Sequence, residues 1–465
     1  MPADQIATAL RDLAATLPEG ARLPSVRELM REHGASPVTV QRAIATLSAE
    51  GLVVPRPGRG TFVAAPPARN GTPDLAWQEV ALGAARMADD GGLAELLATP
   101  PGGTLALSSG YLDPRLQPTA AMAAALARAG RRPGAWERGP VEGVAALRAW
   151  FAREAGGRFG AHDVVICPGG QAALVTAVRA LAPPGGSVVV ESPTYRGALA
   201  AVRAAGLTPV PVPSDADGVR PEMLADALER TGARVAYLQP LHANPHGADL
   251  SAERRAAVME VAARSGAFLI EDDWARDLTI DGPAPAPLAA DDPDGHVVYV
   301  RSLSKGASPG LRVAAVAARG PAGVRLRSAR IVEDLFVSAP LQLAALELVS
   351  SPGWRRHLKA LRAGLRERRD ALAGALSQHF GAGAVWHVPT GGLHMWLRLP
   401  DGTDEAGLVA AAARAGVMVA GCRRSFAAEP TGPHLRLTFG GAPPDVLVEG
   451  VERLAGALRV LELGT

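Results

Sequence analysis

Short β-branched runs alternate with helical patterns over residues 160–317, and this alternation constrains the fold more than any other feature of the sequence. The run "VVIC" precedes the helical pattern "QAALVTAVRAL", and the runs "SVVVES", "RVAYLQ", "AFLIEDD" and "HVVYVRS" come after it, most of them separated by helical patterns. This rhythm is typical of an α/β fold in which helices cover both faces of a mostly parallel sheet. Ligands of such sheets bind beyond the carboxyl ends of the strands. The residues at those ends are therefore candidates for a functional site.

A break in composition divides the chain into two parts. The segment "AAPPARNGTPDL" is rich in proline, glycine and alanine and has no periodic apolar pattern, which is typical of a linker. We place the linker at residues 65–76, between a small N-terminal domain of residues 1–64 and a large domain of residues 77–465.

The bulk composition indicates an ordinary globular protein. Hydrophobic residues make up 48% of the 465 residues and charged residues 20%, so the chain can bury a sizeable core. The formal net charge of +2 gives no argument for nucleic acid or membrane over the whole chain. Cys167 and Cys422 match no metal-ligand spacing, so we expect no metal site. The chain lacks a signal-peptide pattern and a bilayer-length apolar run, and we expect a cytoplasmic protein.

The small domain has three helical patterns and then two short apolar runs. Ser25 is a candidate N-cap of "VRELMREHG", and Ser36 is a candidate N-cap of "PVTVQRAIATLSAEG". The runs "LVVP" and "TFVA" are joined by "RPGRG", which is typical of a β-hairpin with a glycine-rich tip. The order predicts a winged helix-turn-helix, whose third helix enters the major groove of DNA.

The outward residues of this domain are candidates for DNA contacts. The third helix turns its apolar side chains inward and leaves Thr39, Gln41 and Arg42 outward, and the hairpin tip adds Arg56 and Arg59. Seven arginines against six acidic residues give the domain a net charge of only +1. Phosphate binding must then come from a local stripe of arginines, and we expect a second copy in a dimer to assist. The alternative is a helical protein-interaction module with solvated arginines.

The stretch "ARLPSVRELMREHGASPVTVQRAIATLSAEGLVVPRPGRGTFVA" resembles the DNA-binding domain of GntR-family transcription regulators over nearly the whole small domain. The resemblance implies binding of a double-stranded DNA operator. It assigns DNA contacts to Arg27, Ser36, Thr39, Gln41 and the wing tip around Arg59, to which the outward position adds Arg42. Pro37 stands where many members have a DNA-contacting arginine, which is a departure from the family pattern.

The predicted strand ends of the large domain carry residues that suit pyridoxal 5′-phosphate (PLP). The helix-opening glycines of "PGGQAAL" suit a phosphate, and Tyr195 can stack on a planar ring. Asn244 offers an amide, Asp272 can pair with a protonated ring nitrogen, and "RSLSK" ends in Lys305, with Arg312 seven residues further on. Each feature has an ordinary interpretation, such as a glycine turn or a satisfied loop acid. The ordered set favours the cofactor.

Lys305 supports this interpretation because lysine is rare in this chain. Lys305 and Lys359 are the only lysines among 48 basic side chains. Arginine stays protonated, whereas lysine can become the neutral amine that attacks a carbonyl. The alternative is a surface lysine without a role.

Residues from about 105 to 460 resemble a class I/II aminotransferase domain of fold type I, with "SSGYLDPRLQP", "GGQAAL", "ESPTY", "NPHG", "IEDDW", "SLSKGASPGLR", "GGLHMWLRLP" and "HLRLTFG" in the family's order. The resemblance implies a large subdomain at about 120–340 and a small C-terminal subdomain at about 341–465. It makes Lys305 the internal aldimine lysine and Asp272 the partner of the pyridine nitrogen. It also implies that Asn244 bonds the ring oxygen, Tyr195 stacks on the ring, Gly170, Gln171, Ser302, Ser304 and Arg312 hold the phosphate, and Arg436 pairs with an amino-acid carboxylate.

Two departures from the aminotransferase pattern stand out. Trp274 occupies the place of a tyrosine that bonds the ring oxygen, and an indole N–H can donate but not accept or ionise. Near Arg138, where the family has a tyrosine that reaches the phosphate of the neighbouring subunit, this chain reads "GAWERGPVEG". Arg138 or Trp136 is a candidate substitute.

A GntR domain fused to an aminotransferase domain is similar to the MocR-type regulators, which form homodimers. We therefore expect a transcription regulator that binds PLP through Lys305 and senses PLP or an amino compound. The alternative is an active PLP-dependent aminotransferase that carries a DNA-binding head. A third hypothesis, a repressor without cofactor, does not explain the PLP set.

Overall fold

The computed structural model describes residues 3–64, 74–83 and 89–463. The chain forms two compact units, Met1–Met87 and Ala88–Thr465. No helix in these ranges is both long and apolar enough to cross a membrane.

The predicted linker at residues 65–76 lies mostly outside the described residues, which resume at Asp74. Its last residue, Ala76, begins a short helix. The domain boundaries proposed from the sequence stay a prediction.

In its described residues, 3–64 and 74–83, the first unit contains three helices, a hairpin and one further short helix. Its elements are α1 (Ala3–Thr16), α2 (Val26–His33), α3 (Pro37–Ala49), β1 (Val53–Arg56), β2 (Gly60–Val63) and α4 (Ala76–Leu82).

Local capping fixes where the second and third helices begin. The Ser25 hydroxyl accepts the N–H of Glu28 at 3.3 Å, and the Glu28 carboxylate accepts the N–H of Ser25 at 2.7 Å, which is a complete capping box. The Ser36 hydroxyl accepts the N–H of Thr39 at 3.2 Å at the start of α3. Both predicted N-caps are therefore confirmed.

The core of this unit lies between the three helices and β1. Ile6, Leu10, Leu29, Val40 and Leu47 are each at most 1% exposed. Because α3 places Val40, Ala43, Ile44 and Leu47 in this core, Gln41 and Arg42 are left exposed, as predicted. The strands β1 and β2 pair antiparallel, which confirms the hairpin.

The second unit has the alternating order that the sequence predicts. Its elements are α5 (Leu93–Leu97), β3 (Leu105–Ala106), α6 (Thr119–Ala129), α7 (Ala145–Ala155), β4 (Val164–Cys167), α8 (Gly170–Leu181), β5 (Ser187–Ser192), α9 (Arg196–Ala204), β6 (Thr208–Asp215), β7 (Gly218–Val219), α10 (Pro221–Thr231), β8 (Val235–Leu238), α11 (Ala252–Ser265), β9 (Phe268–Asp272), β10 (Val297–Ser302), β11 (Ala314–Ala317), α12 (Gly320–Asp334), α13 (Ala339–Ser350), α14 (Pro352–Phe380), β12 (His394–Arg398), α15 (Glu405–Arg414), β13 (Val417–Met418), β14 (Ala420–Gly421), β15 (His434–Thr438) and α16 (Pro444–Leu463).

An eight-stranded sheet is the frame of this unit, with the order β4-β11-β10-β9-β8-β5-β6-β7. The pairs β10/β9, β9/β8, β8/β5 and β5/β6 are parallel, whereas β11 is antiparallel to both of its neighbours. The strands β4, β5, β8, β9 and β10 therefore point the same way and end at one edge. Every residue of β4, β8 and β10 is buried, as expected for strands covered by helices on both faces. The mostly parallel α/β sheet is confirmed.

The C-terminal part of the unit has its own smaller sheets. Strands β12, β15 and β14 form an antiparallel sheet, and β13 pairs in parallel with β3 from the start of the unit. The 29-residue helix α14 leads from the large sheet into this part, and its Leu361, Leu365, Leu372 and Leu376 pack in the same core as β12 and β15. The small sheet thereby carries Arg436 on β15.

Candidate active site and nucleic-acid interface

One pocket lies at the carboxyl edge of the large sheet. All ten residues that the sequence predicts as cofactor ligands line it, and three further residues join them. The lining residues are Tyr111, Gly170, Gln171, Leu174, Tyr195, Gln239, Asn244, Asp272, Trp274, Ser302, Ser304, Lys305 and Arg312.

Lys305 is held in the pocket by neutral groups. Its Nζ donates a hydrogen bond to the Gly110 carbonyl at 2.6 Å and lies 3.9 Å from the centre of the Tyr111 ring, a cation–π distance. Burial lowers the pKa of Lys305 to about 7, and the positive charges of Arg436 and Arg312 act in the same direction. The pocket therefore supplies a neutral amine near neutral pH, which is the nucleophilic form of lysine.

Asp272 is the last residue of β9, and two hydrogen bonds fix its carboxylate. Its Oδ2 accepts the Tyr237 hydroxyl at 2.6 Å and the Gln239 amide at 2.9 Å, which leaves Oδ1 without a hydrogen bond among the described residues. Burial raises the pKa of Asp272 to about 6. A buried carboxylate of this kind is stabilised by a positive partner, such as a protonated ring nitrogen.

A candidate phosphate-binding site, here called the phosphate cradle, lies between the end of β4 and the start of α8. Gly169, the N-terminus of α8, Ser304 and Arg312 form it. Gly169 has a φ of +107°, and a Cβ on it would collide with the Arg312 guanidinium. The Arg312 Nη2 donates to the Pro168 carbonyl at 2.9 Å, so the guanidinium is fixed beside the N-terminus of α8. The buried Ser304 hydroxyl has no partner among the described residues. An arginine, a helix N-terminus and an unpaired hydroxyl together suit a phosphate.

Tyr195 and Gln171 form one wall of the pocket. The Tyr195 hydroxyl donates to Gln171 Oε1 at 3.1 Å, and Gln171 Nε2 donates to the Gly197 carbonyl at 2.8 Å. This arrangement fixes the tyrosine ring. Because both Gln171 amide atoms have protein partners, Gln171 contributes to the phosphate cradle chiefly through its backbone N–H.

Arg436 lies beside the pocket and joins the small sheet to it. Its Nη1 donates to Asn244 Oδ1 at 3.3 Å and its Nη2 donates to the Ser108 carbonyl at 2.7 Å, whereas Nε is buried without a partner among the described residues. Burial lowers the pKa of Arg436 to about 10, and the side chain stays charged. A buried guanidinium without a carboxylate partner suits a ligand carboxylate.

Trp274 lies in the pocket wall with its polar group already bonded. Its indole N–H donates to the His242 carbonyl at 3.1 Å, and its ring stacks on His394 with centroids 5.7 Å apart. Since its one donor is used by the protein, Trp274 shapes the pocket wall and has no hydrogen bond left for a ring oxygen.

Sequence reasoning missed several residues of this pocket. Tyr237 and Gln239, which hold Asp272, belong to the predicted strand "RVAYLQ", so their strand-end position was the available signal. Tyr111 belongs to the family segment "SSGYLDPRLQP", which was itself a signal. The buried His394 on β12 stacks on the pocket residue Trp274 and belongs to the family segment "GGLHMWLRLP", which was likewise a signal.

Near the family's intersubunit tyrosine, the two candidate substitutes lie outside the pocket of this chain. Trp136 is 79% exposed, its N–H donates to the Gly130 carbonyl at 2.9 Å, and Arg138 is exposed.

The predicted DNA contacts lie on the surface of the first unit. Arg27, Ser36, Gln41, Arg42 and Arg59 are exposed and Thr39 is half-buried. The hydroxyls of Ser36 and Thr39 are 2.8 Å apart, and Ser36 also caps α3, so both are fixed at the start of the predicted recognition helix.

Fold and pocket define the class as a winged helix-turn-helix unit followed by a fold type I domain with a lysine at the carboxyl edge of its sheet. The family comparison agrees, because residues 104–454 match the model for aminotransferase class I and II, and residues 2–63 match that for bacterial regulatory proteins of the gntR family. The chain belongs to the aminotransferase class I and II family and carries a GntR-type DNA-binding domain at its N-terminus.

Similar proteins include regulators and enzymes. The uncharacterized HTH-type transcriptional regulator YdfD of Bacillus subtilis is 27% identical over 96% of this chain and 93% of its own length. The 2-aminoadipate transaminase of Thermus thermophilus is 32% identical over 77% of this chain and 91% of its own length. A solved structure of Thermus thermophilus LysN, an α-aminoadipate aminotransferase complexed with N-(5′-phosphopyridoxyl)-L-leucine, superposes with a TM-score of 0.76 at 30% identity over 84% of this chain and all of that one.

Family membership identifies PLP as the cofactor, and the residues present fit it. The unpaired Ser304 hydroxyl, the Arg312 guanidinium against Gly169, the open Asp272 oxygen and the buried amine of Lys305 match its phosphate, ring nitrogen and aldehyde.

We predict that the rate at which the cofactor-free protein captures PLP rises with pH up to about 7 and then flattens. A lysine with a pKa of about 7 is mostly protonated below that pH and mostly neutral above it. For an ordinary lysine, with a pKa near 10.4, the rate would keep rising about tenfold per pH unit through pH 9. Stopped-flow absorbance from about pH 5 to 9 measures this, with Lys305→Ala as the control that forms no covalent band. A rate still rising steeply above pH 8 would contradict the lowered pKa.

We predict that Gly169→Ala lowers the affinity for PLP at least about tenfold, because the new Cβ displaces the Arg312 guanidinium. Gly185→Ala is the matched control, since Gly185 also has a positive φ, +72°, but no atom lies within 4 Å of its added Cβ. Equilibrium dialysis of PLP and competition by inorganic phosphate measure the effect. Equal losses in the two variants would show that backbone strain, and not the cradle, is responsible.

Proposed function

We propose that this protein is a DNA-binding transcription regulator whose aminotransferase domain holds PLP covalently through Lys305 and senses an amino compound. The observation that carries the proposal is that one chain has both a GntR-type domain with an exposed polar face on α3 and a pocket lined by all ten predicted cofactor residues. One regulator among its relatives, YdfD, aligns with 96% of this chain, which supports this interpretation.

The residues of the pocket divide the work of holding the cofactor. When bound, PLP supplies an aldehyde that condenses with amines and a ring that withdraws electrons. Lys305 provides the neutral amine, Asp272 holds the ring nitrogen in its charged form, and Tyr195 covers the ring face. Gly170, Ser302, Ser304 and Arg312 bind the phosphate, with Gln171 contributing its backbone N–H, and Trp274 shapes the wall. Arg436 selects ligands that carry a carboxylate.

The contacts of Lys305 suggest how an amino compound is sensed. The free Lys305 amine bonds the Gly110 carbonyl and lies against the Tyr111 ring, and a Lys305 held by bound PLP would leave both contacts. The segment at Gly110 and Tyr111 would then differ between the two states. Regulation requires that DNA and the ligand prefer different states of the protein.

The second candidate function is an active aminotransferase with a DNA-binding head. The lowered pKa of Lys305 favours it, because a neutral lysine can also transfer protons. The transaminases among the relatives favour it as well.

We further propose a homodimer that binds DNA with two heads. One head has a net charge of only +1, so the phosphate contacts of two heads are needed for tight binding. The end of α12 exposes Val332 by 85%, and the next residues expose Leu335 by 61%, which is apolar surface suited to an interface.

We predict that Arg27→Ala weakens DNA binding about tenfold. The slope of the logarithm of the binding constant against the logarithm of the salt concentration should become shallower by about one, as expected for one lost phosphate contact. The absorbance of bound PLP should stay unchanged. Gln41→Ala should instead relax sequence preference, because its side chain is expected to contact base edges. Fluorescence anisotropy, with duplexes selected from a random pool by the wild-type protein, measures both. Arg11→Ala is the matched control, since the Arg11 guanidinium pairs with Glu50 at 2.7 Å, at the far end of α3. An equal loss in Arg11→Ala would contradict the assigned DNA surface.

We predict that amino acids shift the visible absorption of the PLP-loaded protein without completing transamination. A panel of amino acids is titrated into the protein, and the released or bound cofactor is then identified by chromatography. A saturable shift with PLP recovered intact supports the sensor. Conversion to pyridoxamine 5′-phosphate that a 2-oxo acid reverses would replace the sensor with the aminotransferase. Arg436→Gln should weaken binding of amino acids far more than binding of simple amines.

A further inference from the structure

A second cavity, with a volume of about 560 Å³, lies in the aminotransferase unit and shares no lining residue with the cofactor pocket. This volume is in the range of small-molecule sites. The lining residues that matter here are Ser214, His246, Trp386, Trp396, Arg398 and Phe426.

The walls of this cavity are flat aromatic rings. Trp396 and Phe426 are each 5% exposed, with ring centres 6.4 Å apart, and Trp396 stacks on His434 at 4.8 Å. Trp386 meets the His246 ring edge to face at 5.4 Å. A ligand with a planar aromatic ring would be stabilised here by stacking and edge-to-face contacts with these side chains.

Two residues that line the same cavity, Ser214 and His246, each carry a buried polar atom without a partner among the described residues. His246 is 1% exposed, and its Nδ1 accepts the N–H of Ala248 at 3.2 Å, so the ring proton of the neutral form is on Nε2. Nε2 and the buried Ser214 hydroxyl have no partner among the described residues. Burial lowers the pKa of His246 to about 3, so the ring stays a neutral donor. Unpaired buried donors favour a ligand that brings acceptor oxygens.

The charge at the cavity favours an anion. Arg398 lines it, is 62% exposed and uses Nη2 for Asp401 at 3.2 Å, which leaves other guanidinium N–H groups for a ligand. No aspartate or glutamate is among the described residues that line the cavity. We propose that this cavity is a second ligand site, for a small aromatic carboxylate whose ring packs between Trp386, Trp396 and Phe426 and whose oxygens accept from His246, Ser214 and Arg398.

The second site adjoins the cofactor pocket through shared backbone. His246 comes two residues after Asn244, and Trp396 is paired with Arg436 across β12 and β15. An occupant therefore contacts segments that also carry cofactor-pocket residues, which is the position an effector needs. The proposal of this second site does not depend on whether the protein is a regulator or an active aminotransferase.

The test is calorimetric titration of benzoate into the full-length, PLP-loaded protein. In the Arg436→Gln variant, whose cofactor pocket lacks the proposed carboxylate partner, benzoate should bind one site per chain, and benzamide and cyclohexanecarboxylate should bind at least about tenfold more weakly, since one lacks the charge and the other the flat ring. Ser214→Ala and Arg398→Gln should each weaken benzoate about fivefold. Ser214→Ala removes a hydroxyl that has no partner among the described residues, so it should leave the melting temperature unchanged or raised.

Matched controls separate this site from general effects and from the cofactor pocket. Ser328→Ala changes an exposed serine elsewhere, and Arg264→Gln changes an arginine that is 64% exposed and paired with Glu260; both should bind benzoate as the wild type does. Arg436→Gln should also leave benzoate binding intact. No binding heat up to about 10 mM benzoate, unchanged affinity in Ser214→Ala and Arg398→Gln, or loss in Arg436→Gln would each overturn the proposal. The last result would place benzoate in the cofactor pocket and leave the proposed function standing.

Discussion

The structure depends on five strands, β4, β5, β8, β9 and β10, that run in the same direction and end at one edge of the large sheet. Their interiors are apolar on both faces, so polar side chains can be placed only where the strands end and backbone groups become free. Cys167, Leu238, Asp272 and Ser302 are the last residues of four of these strands. Because the strands are neighbours or nearly so, residues more than 100 positions apart in the chain meet within one pocket. The sheet topology therefore creates the pocket, and the side chains that meet in the pocket determine its chemistry.

Burial then sets the charge states. The same desolvation that lowers the pKa of Lys305 to about 7 raises the pKa of Asp272 to about 6 and that of Glu191 to about 8. Glu191 accepts the Gln239 N–H at 2.7 Å, and the Gln239 side chain bonds Asp272, so a second layer of polar groups fixes the first. The network keeps one amine reactive and one carboxylate aimed at a ligand, which an exposed pair could not do. The proposed sensor and the competing aminotransferase both depend on this arrangement, and they differ only in whether the bound ligand goes on to react.

Much of the fold and the pocket could be predicted because the signals are local. The capping serines Ser25 and Ser36, the hairpin and the strand–helix alternation depend on neighbours within a few positions. The ten cofactor-pocket residues could be named because strand ends are visible in the sequence and the family motifs mark them. The stacking of His394 on Trp274 and the His246 cavity could not be predicted, since each joins segments far apart in the chain; the cavity joins β6, β12 and the turn near Phe426. The Trp274 contact with the His242 carbonyl likewise depends on how two loops meet.

The sequence by itself determined the element order, the two-part organisation, the presence of a lysine among strand-end polar residues and the family that these motifs mark. Local hydrogen bonding and periodic burial act over short stretches, so they can be read from the order of residues alone. Only the tertiary structure decided which groups stay unpaired among the described residues: the Nε of Arg436, the hydroxyl of Ser304 and the Nε2 of His246. It also decided the pKa values, because desolvation is a property of the space around a group and depends on chain segments that no local pattern brings together.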